Sequence, residues 1–399
     1  MKVIKPEIYD EFQCTGGKCP LTCCGGWVVM MDEKIYKSYR KMGGHIAKFA
    51  KKSILYAKEM NIYYVRHDPV TNMCPMCNEE QLCTIVIEKG MDASSQLCKE
   101  FPREQFRTIV GEERYLGCSC PVVVGMLYNL EKKISFITET GRKYKTEGLE
   151  ILPEKDSVEL QIREVMLDFI QKAETPLWFR EFFGVYTLTK VREDYLKGDY
   201  NSVCEKLIHF YSKSFWEPLY LGLKDVEVNR EQQFEIMCDF VSASAEQIMK
   251  CFFVDKYKNM ERIAELLDIN CTCTFPEWEQ ARQKWKADRK DLGEENLFVY
   301  DFMECFLPNA KVYPYGYIDE FCLLGNYMSS ILITILIHSL KILFYTRYEQ
   351  DKEMDTIIVA ALSRAFRGAG DVSSVKEMID AARETGVMSI GFLRCLLDI

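Results

Sequence analysis

Ten of the eighteen cysteines of this 399-residue chain fall within its first 120 positions. They run Cys14, Cys19, Cys23 and Cys24, then Cys74, Cys77 and Cys83, then Cys98, then Cys118 and Cys120. Soft thiolates at this density select zinc or iron–sulfur clusters over magnesium or calcium. Histidine hardly contributes, since only His45 and His67 fall in the region, so an all-thiolate site is expected. Zinc closed by four thiolates would serve structure, whereas an iron–sulfur cluster would offer a reactive centre; spacing does not choose between them. The competing reading is a disulfide framework. Against it, Met1–Pro6 has no apolar stretch and no small-residue cleavage site. The expectation is therefore a cytoplasmic chain whose thiols stay reduced or metal-bound.

Spacing adds detail. In Cys14-x4-Cys19-x3-Cys23-Cys24-x2-Trp27 the cysteines are flanked by Gly16, Gly17, Gly25 and Gly26. Glycine lets backbone wrap closely, because it accepts positive φ and has no side chain to clash. Adjacent residues in extended backbone point to opposite faces. Cys23 and Cys24 thus serve two different centres, or one is a ligand and the other a structural thiol. Cys74-x2-Cys77 is a zinc-knuckle half-site. Cys98 precedes Phe101-Pro102-Arg103, and Cys118-x-Cys120 precedes Pro121. The plain alternative, cysteine as a small core hydrophobe, suits Cys204, Cys238, Cys251, Cys305, Cys322 and Cys395, which sit singly in helical stretches. Cys271-Thr272-Cys273 is left unassigned.

The elements that must position these thiols fall into two regimes, residues 1–128 as a Cys-rich module and 129–399 as a helical domain. The predicted fold is mainly α, with a metal or iron–sulfur module bearing a few short strands packed on a large helical body. Asp32 caps a helix running toward Met60, which Gly43-Gly44 splits in two. Ile62–Val65, Thr84–Ile87 and Ile134–Ile137 read as strands. Ser157–Lys172, Glu231–Phe253 and Tyr257–Leu267 carry apolar helical faces, Phe275–Lys290 reads as an exposed charged helix, and Ser373–Thr385 and Ile390–Leu397 close the chain. Leu323–Leu340 bears no formal charge and has the length of a membrane span. Its Asn326, Ser329, Ser330, Thr334, His338 and Ser339 favour a buried central helix, so no span is expected. A net charge of −9 argues against nucleic acid as a partner and is compatible with a lysine-bearing one.

The order C-x4-C-x3-CC-x2-W, CP…LC-x-I, C-x2-(F/Y)PR and CP resembles the flagellin lysine-N-methylase family of bacteria. The matching pieces are FQCTGGKCPLTCCGGWVVMMD, MCPMCNEEQLCTIV, LCKEFPR and CSCPVVVGML, within residues 9–127, with an echo at Leu324-Gly325-Asn326-Tyr327. A wider group of metal-chelating cysteine-cluster proteins shares the N-terminal pattern. Position by position, the resemblance implies that Cys14, Cys19, Cys23, Cys24, Cys74, Cys83, Cys98 and Cys120 hold metal, as a 4Fe–4S cluster or zinc. Cys77 and Cys118 depart from the pattern. It further implies methyl transfer from S-adenosylmethionine to lysines of flagellin, in the cytoplasm. The alternative is a non-enzymatic metal-binding scaffold or interaction module.

The usual methyltransferase signatures are missing. Gly368-Ala369-Gly370 follows a helical stretch rather than a strand, and the third cysteine of C-x3-C-x2-C is replaced by Gly26. The chemistry sets requirements regardless. A lysine amine, with a free pKa near about 10.4, attacks only when neutral, so its pocket must desolvate it or accept its proton. Aromatic walls suit a sulfonium and a methylated ammonium. Trp27 is a candidate cofactor wall, its plainer role being packing over the metal. Arg103 can pair with a cofactor carboxylate, its plainer roles being a local carboxylate or thiolate charge. Asn326 and Tyr327 are candidates as a buried polar pair that needs partners. Tyr313–Tyr317 reads as a turn or a lysine-channel lining, and Asp32 as a cap before a base.

Overall fold

The structure, a computed structural model, describes residues 2–25, 29–71, 73–108, 111–140, 153–172, 174–252, 259–305, 320–348, 352–366 and 372–399. Trp27, Tyr313–Tyr317 and Gly368–Gly370 lie outside the described residues. Among the described residues the chain forms eighteen α-helices and seven short strands.

The first part runs β1 (Lys2–Pro6), β2 (Met30–Met31), α1 (Glu33–Lys41), α2 (Gly44–Ser53), β3 (Ile54–Ala57), β4 (Ile62–Val65), α3 (Thr84–Lys89), α4 (Gln96–Glu100), β5 (Arg103–Thr108), β6 (Gly111–Leu116), α5 (Pro121–Tyr128) and β7 (Phe136–Thr140). The helical part runs α6 (Pro153–Lys172), α7 (Leu177–Lys197), α8 (Tyr200–Phe210), α9 (Lys213–Lys224), α10 (Arg230–Ala243), α11 (Ala245–Phe252), α12 (Asn259–Thr272), α13 (Phe275–Asp288), α14 (Asp291–Cys305), α15 (Cys322–Tyr345), α16 (Lys352–Phe366), α17 (Val372–Glu384) and α18 (Ile390–Leu397).

The Asp32 carboxylate accepts from the Ile35 amide at 2.7 Å and starts α1. At Gly43 and Gly44, with φ of 76° and 54°, the helix breaks, and α2 stops at Ser53 rather than continuing toward Met60. Thr84–Ile87, expected as a strand, is instead the start of α3. A short apolar run does not separate the two states by itself, and Thr84 is turned into the helix by its bonds to the Met76 carbonyl. The strand expected at 134–137 sits two residues later, as β7.

Two sheets result. One has the order β5-β6-β1-β7, with β1 parallel to β6 (Val3 opposite Glu112) and antiparallel to β7 (Lys2 opposite Thr140). The other, β2-β4-β3, is antiparallel. Apolar side chains gather in two cores. Val29, Met31, Tyr39, Ile46, Phe49, Ile54, Val65, Met76 and Ile85 form the smaller. Ile8, Tyr9, Phe12, Leu21, Tyr115 and Leu116 join the large helical one. The four-stranded sheet is thus part of the helical body, and the Tyr300 hydroxyl of α14 accepts from the Leu116 amide at 2.6 Å.

At the centre runs α15, long and apolar enough to cross a membrane, with 94% of its apolar window buried inside the protein. Helix α13, read as exposed, buries Trp278, Ala281 and Trp285 and packs on α15. A stripe at i, i+3 and i+7 is easily hidden among charged residues, one of which, Arg282, is itself buried here.

Candidate metal centre

The first cysteine loop is shaped by its glycines. Gly16 has φ of 58°, and a Cβ on Gly17 would press into the Glu80 carbonyl oxygen. The loop therefore lies directly on the turn that follows Cys77. That turn is tied by Asn78, whose side-chain oxygen accepts from the amides of Glu80 (3.1 Å) and Leu82 (2.8 Å). Cys77 bridges Cys83 across it. The Cys74 amide donates to the Cys24 carbonyl at 2.7 Å, and Gly25 bridges Met73, so the first and second cysteine groups are joined backbone to backbone. Gly17→Ala is expected to destabilise this contact by about 2 kcal/mol, the scale of an overpacked site. The check is the unfolding midpoint together with metal retention.

The thiols collect in two neighbourhoods. Cys14 lies within electrostatic reach of Cys19 and Cys23, and Cys19 of Cys120, while Cys19, Cys23 and Cys120 are each within reach of the Arg364 guanidinium. Cys24, Cys74, Cys77, Cys83 and Cys98 form the second group, with the buried Tyr39 ring facing Cys98, Cys83 and Cys74. The adjacent pair Cys23–Cys24 joins them, the Cys23 thiol hydrogen-bonding to the Cys24 sulfur. Cys83 and Cys120 precede α3 and α5 at their N-cap positions, where helix dipoles favour negative charge. The Ser95 hydroxyl accepts from the Cys98 amide at 3.2 Å and starts α4.

Burial pushes the Cys74 thiol up to about 12 and the Cys120 thiol up to about 11. Cys24 goes the other way, down to about 3, because the Cys23 and Cys77 thiols hydrogen-bond to its sulfur. Those two donors are pushed up in turn. Soft donors gathered in this state are suited to a cation, which replaces their protons. None of the described cysteines is in a disulfide. Among the described residues no three His, Cys, Asp or Glu side chains already stand arranged to hold a metal ion. Cys118 is buried in the main core.

Arg364 of α16 carries no sequence signal yet anchors the first group. Its guanidinium donates to the carbonyls of Thr22 (2.8 Å), Ser119 (3.1 Å) and Leu21 (3.4 Å). Arg364→Ala is expected to cost about 3 kcal/mol, because buried carbonyls lose charged donors. Arg364→Lys recovers part of that, and chemical unfolding of both variants tests the ranking.

The other expected site residues lie elsewhere. Arg103, at the start of β5, sits over the Phe12 ring at 5.0 Å and the Tyr9 ring at 5.8 Å, and donates to the Phe12 carbonyl at 3.2 Å. Asn326 and Tyr327 are buried in α15. Tyr327 packs on Phe298 and Phe302, and a Cβ on Gly184 of α7 would come within 2.6 Å of its hydroxyl.

No protein-family model, curated protein or solved structure matches this chain.

Proposed function

We propose that this chain is a protein-lysine N-methyltransferase that acts on flagellin, takes its methyl group from S-adenosylmethionine and builds thiolate-bound centres on its N-terminal cysteines. The observation that supports the reading is the gathering of the eight cysteines of the resemblance into two neighbourhoods that meet at the hydrogen-bonded pair Cys23–Cys24. The donor set fits iron–sulfur clusters or zinc, being made of reduced, soft sulfur. Cys14, Cys19, Cys23 and Cys120 would hold one centre, and Cys24, Cys74, Cys83 and Cys98 the other, with Cys77 a fifth thiol beside it. Bound there, an iron–sulfur cluster supplies one-electron or Lewis-acid chemistry, and zinc supplies a structural cross-link. The chain's own contribution is to place Arg364 beside the first group, offsetting its negative charge, and Tyr39 against the second, limiting water.

The scaffold reading draws on a separate observation, the use of Arg103 and Tyr327 in packing against protein groups. One experiment separates the two. Protein purified without oxygen is analysed for iron, zinc and acid-labile sulfide, then incubated with flagellin and methyl-labelled S-adenosylmethionine. Label on flagellin lysines supports the enzyme. Metal without label leaves the scaffold, and absence of metal removes both.

A further inference from the structure

The net charge of −9 is unevenly spread along the chain. Residues 32–66 build α1, α2 and the β3–β4 hairpin, which share the smaller core. Here nine lysines and arginines stand against three carboxylates, so this lobe carries +6 and the rest of the chain −15. All nine cations are exposed. Of the carboxylates, Asp32 is engaged in the cap of α1, and Glu33 pairs with Lys37 at 3.0 Å. Among the described residues, the other six lysines of the lobe form no ion pair. A patch of one sign this dense draws in an oppositely charged partner.

An aromatic row runs through the same lobe. Tyr36 of α1 stacks on Tyr63 of β4, with ring centroids 4.3 Å apart and planes within 13°. Tyr63 in turn meets Tyr56 of β3, its cross-strand partner, at 4.9 Å. Arg40, one turn on from Tyr36, donates to its hydroxyl at 2.9 Å and lies 5.8 Å from its ring centroid. Tyr36 and Tyr63 are half-buried, but Tyr56 at the end of the row is 48% exposed. Its hydroxyl donates to the Asn61 side chain at 2.7 Å, which fixes the ring at the surface.

The kind of cation selects the partner. Planar carboxylates are held best by arginine forks, whereas lysine is a point charge that suits phosphate. Both arginines of the lobe are engaged, Arg40 on Tyr36 and Arg66 on the Lys52 carbonyl at 3.1 Å, so the available charge is that of lysine. A membrane would be entered at the hairpin tip, where Met60 is 68% exposed. Beside it stands Glu59, whose charge opposes approach to anionic headgroups. A ring fixed at the surface among lysines is instead a platform for an unstacked base. A duplex keeps its bases stacked and offers the ring no face.

We propose that the lobe of α1, α2 and the β3–β4 hairpin binds single-stranded nucleic acid, with phosphates on its lysines and a base on the Tyr56 ring. The inference needs no methyl transfer, so its failure and that of the function proposed above are read separately.

The test is fluorescence anisotropy of a labelled oligothymidylate of roughly twelve nucleotides, titrated with the full chain purified without oxygen. The strand is expected to bind, about fiftyfold more weakly at about 200 mM salt than at about 50 mM, as release of counterions from roughly four phosphates requires. Tyr56→Ala is expected to weaken binding about tenfold without changing the salt dependence. Lys52→Gln combined with Lys58→Gln, on either side of β3, is expected to weaken it about tenfold and to lower the slope against log salt by about 1.4. Both lysines are exposed, so this variant serves if Tyr56→Ala fails to fold. Oligothymidylate paired with oligoadenylate, polyglutamate and phosphatidylserine vesicles are the competitors. The proposal is overturned if the strand does not bind at about 50 μM protein in low salt. It is equally overturned if any competitor matches the strand at equal charge, or if either variant, folded by circular dichroism, binds like the parent.

Discussion

Cys23→Ser and Cys24→Ser, one residue apart, are expected to empty different centres. The two sulfurs share a hydrogen bond, but beyond it Cys23 faces Cys14 and Arg364, and Cys24 faces Cys74, Cys77, Cys83 and Cys98. Each single variant should lose about half of the bound metal, and the double variant nearly all of it. Four-thiolate zinc is worth about 10–16 kcal/mol in small peptides, so loss of the second centre should unfold the small core around Tyr39 and Phe49 while the helical body remains. If either centre is catalytic, methyl transfer in that variant should fall by at least about a hundredfold. Metal analysis per chain, read beside circular dichroism, decides it. Loss of nearly all the metal from either single variant would leave one shared centre, and undiminished metal would leave none on these residues.

The second large effect is a pH dependence of stability set by Glu181. Burial pushes its carboxyl up to about 8, against an ordinary value near about 4.3 in the unfolded chain. Between those values the folded state keeps a proton that the unfolded state has released. Stability is therefore full below about pH 4 and declines as pH rises toward about 8, with a total loss on the order of 5 kcal/mol. Glu181→Gln carries no such proton and should remove most of the decline. Urea unfolding at mildly acidic and mildly alkaline pH, parent beside variant, measures the difference. Parallel lines for the two proteins would show that Glu181 ionises normally in the fold.

Local features were the legible ones. The Asp32 cap, the break at Gly43–Gly44 and the buried course of α15 follow from residue type and spacing over a few turns. Extended backbone would send the Cys23 and Cys24 side chains to opposite faces, but here their sulfurs meet in a hydrogen bond, which spacing does not foretell. What depends on distant chain was not legible either. No local pattern tells that Lys2–Pro6 pairs with both β6 and β7, because its strand character comes from its partners. The Trp278–Trp285 stripe is masked by surrounding charge. Arg364, Glu181 and His338 stand alone in the sequence and gain meaning only from what the fold sets against them.

The anchoring of the first cysteine loop by a side chain 342 positions away has a consequence for how the protein comes to be made. Synthesis runs from the amino end, so the loop emerges long before its clamp does. A ribosome-bound chain can assemble the Cys74–Cys98 neighbourhood from local segments, but the neighbourhood of Cys19, Cys23 and Cys120 waits for α16. Loading would then proceed in two stages, the second only once α16 has emerged and folded. A chain ending at residue 351 should accordingly take up one complement of metal and not the other.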